Sequence, residues 1–112
     1  MKAQAHLEKA RRLLYSLSRL SPDDDPEAVI ELAFLAAHHL IAFRMDQLFG
    51  YHEDRHGRLL SQLHREKLFH IADLFQELGQ IRHGSIYGRR VDGERARRAL
   101  SILSEIRAWS VG

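Results

Sequence analysis

Three observations on this chain predict an all-α fold, an antiparallel up-and-down bundle of four helices. Apolar residues recur three and four positions apart in four separate stretches, the spacing that lines one face of a helix. No stretch sustains the two-residue alternation of a half-buried strand. The connections fall in or near the range of about two to eight residues usual in bundles, which makes consecutive helices antiparallel neighbours. The 112 residues are read as a single domain spanning 1–112, long enough to bury a core and small enough to gain from oligomerisation.

The first helix is read from Leu7, Ala10, Leu14 and Leu17, widened by Leu13 and Leu20, with Lys9, Arg11 and Arg12 outside the stripe. Ser21-Pro22-Asp23-Asp24-Asp25-Pro26 then ends it. Asp25 suits an N-cap and Pro26 a first helical position, and the acidic run sits at the positive end of the next helix dipole. That second helix, 26 to about 49, is apolar nearly all round in its first half: Ala28, Val29, Ile30, Leu32, Ala33, Phe34, Leu35, Ala36, Ala37, Leu40 and Ile41. A helix of this kind needs partners on several sides, so it is placed at the centre of the bundle or at a subunit interface, and a homodimer is expected to cover the surplus. Gly50 and Gly57 bracket a polar loop. The third helix, 58–81, buries Leu60, Leu63, Leu68, Ile71, Leu74, Phe75, Leu78 and Ile81, with a bend near 64–67 where polar residues interrupt the stripe. Residues 82–88 are read as a glycine-punctuated connection. The fourth helix, 93–109, turns Ala96, Ala99, Leu100, Leu103 and Ile106 inward.

Cysteine is absent, which removes disulfide frameworks and thiolate metal sites from consideration. The N-terminal residues carry charge at helical spacing and have no apolar signal core, and no stretch approaches ~18 uncharged apolar residues. A soluble cytoplasmic protein is therefore expected. The net charge of +2 is unevenly spread. Residues 1–20 carry five basic groups and one acidic, 21–54 one and eight, and 82–112 seven and three. If the outer helices are neighbours, their positive charge merges into one face suited to an anionic partner. Arg89, Arg90, Arg95, Arg97 and Arg98 offer guanidinium groups, which bind phosphate bidentately, and Arg89, Arg90 and Arg97 are taken as nucleic-acid contacts.

Three groups of residues carry potential chemistry. His52-Glu53-Asp54-Arg55-His56 matches His-Glu-x-x-His, the pattern in which two histidines one helical turn apart hold zinc and the glutamate activates water, with Glu77 as a third ligand. This zinc-hydrolase reading is a minor one, because the pattern requires a helix and here it lies between glycines in a polar loop. His38 and His39 are adjacent, so about 100° separates them on a helix and they cannot chelate one ion from one face; both are read as structural. Arg58 with His64 and Arg65 with His70 are read as helix-face residues.

The third group is Ile81-Arg82-His83-Gly84-Ser85-Ile86-Tyr87-Gly88. Together with the small-residue and aromatic run Ala33-Phe34-Leu35-Ala36-Ala37-His38-His39-Leu40-Ile41-Ala42-Phe43, it resembles the HEPN family of small helical bundles. That family carries an Arg-x(4–6)-His motif before its last helix. The resemblance covers the chain in helix order and length. It implies nucleotide or RNA association, a homodimer, and a small nucleotidyltransferase as partner, sometimes within a toxin–antitoxin pair. Catalytic members cleave RNA without a metal, using the arginine and histidine, and no cofactor is expected. Arg82 matches the arginine and His83 follows it, but Tyr87 stands where the histidine belongs. An ordinary phenol titrates near pH 10 and is a poor base at neutrality. The expected function is therefore a noncatalytic or weakly active interaction protein. The alternative is a metal-independent endoribonuclease using Arg82 with His83 or Tyr87. The same three residues also admit a structural reading, with Arg82 satisfying carbonyls at a helix end and Tyr87 packing over the bundle.

Overall fold

Pro22 and three consecutive aspartates separate the first two helices as the sequence requires. In the computed structural model, which describes residues 2–112 apart from the side chain of His56, the helices are α1 (Ala3–Leu17), α2 (Pro26–Phe49), α3 (His56–Arg65), α4 (Phe69–Tyr87) and α5 (Gly93–Val111). All regular structure among the described residues is helical. Pro26 opens α2 as expected, but the Asp25 carboxylate accepts from the Ser21 backbone N–H at 3.0 Å rather than capping the helix.

Five helices form among the described residues where four were predicted, and the difference lies in the third. The polar stretch at 64–67 does more than bend it. Lys67 adopts a left-handed φ of 61°, and the Leu68 N–H reaches back to the Leu63 carbonyl at 2.9 Å, the six-to-one closure of a Schellman stop. At its other end the helix continues through Tyr87, so residues 82–87 are the last turns of α4 and not a connection. Ser85 is buried and Arg82 lies on the side facing α2, so these polar turns still have an inward face. The helix ends when the N–H groups of Gly88 and Arg90 both bond the Gly84 carbonyl, at 2.9 and 3.0 Å.

Pairings along the helices fix their directions. His6 at the start of α1 meets His39 in the second half of α2, Arg82 near the end of α4 meets Glu31 near the start of α2, and Glu77 and His70 of α4 meet Arg98 and Glu105 of α5. The four long helices thus alternate up and down, and α3 packs against α4.

Helix α2 is the axis, packed against α1, α4 and α5. Most of its apolar surplus is buried inside the chain: Val29, Ala33, Ala36, Ala37, Leu40, Ile41, Ala42 and Met45 are all fully buried, and Phe34 stacks on Phe75 with ring centroids 5.8 Å apart, while Leu32 and Leu35 are half-buried and Ala28 is exposed. The helix is long and apolar enough to cross a bilayer, and 61% of its most apolar stretch is buried inside the bundle. At the N-terminus of α5, the Asp92 carboxylate accepts the Arg95 backbone N–H at 2.8 Å, a side-chain N-cap.

Candidate functional site

The last turns of α4 present two different surfaces. Helical geometry separates Arg82 from His83 by about 100° and from Tyr87 by about 140°. Arg82 turns toward α2, where Glu31 accepts from its Nε at 2.9 and 3.1 Å and from its second terminal nitrogen at 3.0 Å. Its guanidinium also lies 4.6 Å over the Phe34 ring. Nε and one terminal nitrogen are thus engaged, and the side chain remains 35% exposed. The open groove beside it, about 690 Å³, is lined by Asp24, Asp25, Glu27 and Glu31 together with Ser85, Ile86 and Val91, a negative field that disfavours a phosphate.

His83 and Tyr87 point elsewhere. They are four apart on the solvent side, with ring centroids 4.8 Å apart, and Tyr87 is 74% exposed. Arg90 folds back beside Gly84, and Arg89 takes a left-handed φ of 54° as the chain leaves the helix. Neither arginine has an ion-pair partner among the described residues. The cations of α5 are different: Arg97 pairs with Asp23 at 2.7 Å, Arg98 with Glu77 at 2.6 Å, and Arg95 with Asp92. The expected basic face is thereby trimmed. Of the three nominated nucleic-acid contacts, Arg89 is exposed directly after the helix, Arg90 lines a shallow groove with Glu77, Gln80, Ile81, Gly84 and Arg95, and Arg97 is ion-paired with Asp23. Within one chain Arg82 does not join His83 or Tyr87 in a common site.

A second constellation, assembled from three parts of the chain, lies at the opposite end of the bundle. His6 of α1 is buried at 4% exposure. Its Nδ1 is 2.8 Å from His39 Nδ1, and its Nε2 is 2.9 Å from His52 Nε2. His52 Nδ1 lies 2.8 Å from the Asp46 carboxylate, and its Nε2 lies 3.1 Å from that of Asp54. Burial, and then the proximity of His52, pulls the His6 imidazole down to about 4. Burial, and then His6, pulls His39 down to about 4 as well.

Local sequence explains each placement. His6 is four residues before Ala10, which puts it on the buried stripe of α1. His39 and Asp46 are seven apart on α2, two turns on one face. His52 sits in the loop after Gly50, whose φ of 79° ends α2. Gln62 of α3, itself fully buried, fastens that loop by donating to the Tyr51 carbonyl at 3.1 Å and accepting from the Glu53 N–H at 2.9 Å.

The His-Glu-x-x-His reading does not survive this geometry. His52 and Glu53 precede α3 and belong to no helix, so they do not share a helical face with His56, whose side chain lies outside the described residues. Glu53 instead lies 3.7 Å from Arg65. The pairing of His6 with His39 and His52 escaped sequence reasoning because these residues are far apart in the chain. The available signal was a histidine at a core position of α1.

No protein-family model, curated protein or solved structure matches this chain.

Proposed function

We propose that this is a HEPN-like, noncatalytic interaction protein that binds single-stranded RNA or a nucleotide at the exposed end of α4. The observation that carries the reading is the division of that helix end. Arg82 is held by Glu31, whereas His83 and Tyr87 pair on the solvent side, and the chain leaving the helix carries Arg89 and Arg90, which have no ion-pair partner among the described residues. Exposed rings beside guanidinium groups suit a base and its phosphate, since stacking is worth about 1–3 kcal/mol per base and arginine supplies the charge. Cleavage would require a cation at the phosphate and a group able to take the 2′-hydroxyl proton, and within one chain Arg82 is turned away from both candidate partners. A homodimer and a small nucleotidyltransferase partner belong to the same proposal, and the family resemblance is their support.

The test is fluorescence anisotropy with labelled single-stranded RNA in chelator, over a series of salt concentrations. Tyr87→Ala is expected to weaken binding about tenfold, a loss of roughly 1.4 kcal/mol. The Arg89→Ala/Arg90→Ala double variant is expected to flatten the salt dependence by about 1.4 in log–log slope. Absence of salt-dependent binding in the wild type would reject the proposal. Gel analysis of the same samples detects cleavage, and cleavage lost in Arg82→Ala would replace this reading with the endoribonuclease one.

A further inference from the structure

We infer that His6, His52 and Asp54 form a binding site for a divalent transition-metal ion, of which zinc is the representative case. The ligand atoms, His6 Nε2, His52 Nε2 and an Asp54 carboxylate oxygen, all lie within 4.8 Å of one another. Two imidazoles and one carboxylate are a donor set that first-row divalent ions favour. The site shares no residue with the α4 surface described above and stands independently of that proposal.

Proton counting supports the assignment. With Asp46 accepting from His52 Nδ1 at 2.8 Å, a neutral His52 presents a lone pair at Nε2. The single ring proton of a neutral His6 then has two places to be. On Nε2 it points at His52, and the His52 nitrogen and Asp54 carboxylate, 3.1 Å apart, face one another with no proton of their own between them. On Nδ1 it points at His39, and three lone pairs converge. A proton added to His52 Nε2 would have to be shared between His6 Nε2 and the Asp54 carboxylate in one three-centre bond. A divalent cation at the centre satisfies all three.

The residues behind the ligands are arranged as metal sites need them. Asp46 orients His52 through the ring nitrogen that would not touch the ion, the carboxylate–histidine–metal arrangement. His39 occupies the same position behind His6, at 2.8 Å from Nδ1. Both come from the rigid α2. Tetrahedral ligand atoms about 2.0–2.1 Å from zinc lie about 3.3 Å apart, so the two Nε2 atoms, now at 2.9 Å, need separate by only a few tenths of an ångström. His52 is almost fully buried, whereas the Asp54 side chain is 82% exposed, leaving an approach from solvent and room for a non-protein fourth ligand.

The experiment uses untagged full-length protein, stripped with chelator and desalted. Cobalt(II) is titrated in while its visible absorption is followed, and zinc is added in competition. Saturation at one equivalent is expected, with the intense bands of four- or five-coordinate cobalt, bleached by zinc. His52→Gln and Asp54→Asn are each expected to weaken cobalt binding at least tenfold, whereas His70→Gln, on an exposed face, leaves it unchanged. Asp54 is on the surface, so its variant folds even where removal of a buried histidine does not, and circular dichroism verifies this. The proposal is overturned by a spectrum of six-coordinate aquo cobalt, by failure to saturate at one equivalent, or by wild-type affinity in either ligand variant.

Discussion

Gln62 shows how one side chain sets a site it never touches. Its amide holds the backbone on both sides of His52, and so fixes where that imidazole points. The two histidines aligned with His52 carry a pH dependence. His6 and His39 are each lowered from 6.5 to about 4 in the fold, so below 6.5 the unfolded chain takes up protons that the folded chain does not. Their contribution is complete above that value and is lost as pH falls toward 4. With metal removed by chelator, urea unfolding at pH 7.5 and pH 5 is expected to show a loss of roughly 2 kcal/mol, allowing for solvent screening. His39→Gln is expected to lessen that loss. An unchanged stability between the two pH values would show that both rings are protonated in the fold. Little of this cluster was legible in the sequence. The contact His39 makes is with a histidine 33 residues earlier, beyond the reach of local periodicity. His6 was not singled out because the α1 stripe was read from Leu7 onward.

At the scale of helices, boundaries were harder to read than the helices themselves. The start of α2 was legible because Pro26 marks it chemically, and that of α5 followed from its apolar spacing. The end of α4 was not, because Arg82, Gly84 and Ser85 look like a loop until Glu31 and Phe34 of α2 supply partners for Arg82. The stop between α3 and α4 appeared only as an interrupted stripe, since a lysine rather than a glycine occupies its left-handed position. That position makes a simple prediction. Lys67→Gly relieves the steric cost of the left-handed backbone and is expected to raise stability by about 0.5–1 kcal/mol in urea unfolding, net of the entropy glycine loses on folding. A decrease would show that the lysine side chain contributes more than its backbone costs.

For the whole molecule, the sequence disclosed the class and the identity of the central helix, because only a helix with neighbours on several sides can be apolar nearly all round. It did not disclose which cations stay available, since Arg97 and Arg98 are neutralised by Asp23 and Glu77 from other parts of the chain. The small residues of α2 let its neighbours approach closely. Ala37 is fully buried while Ala28 is exposed, which makes a matched pair. Ala37→Leu is expected to destabilise by about 1–3 kcal/mol through overpacking, and Ala28→Leu to stay within about 0.5 kcal/mol, both by thermal or urea unfolding. Equal effects would show that α2 is not tightly enclosed. The same helix is also a ruler. His39 and Asp46 are held about 10 Å apart along its axis and on one face because each residue advances 1.5 Å and turns about 100°. One residue inserted or deleted between them would swing one of the pair a quarter-turn away from its histidine and rotate half of the core out of register. The chain can therefore change length at its connections, but along this stretch of α2 it can change only by substitution.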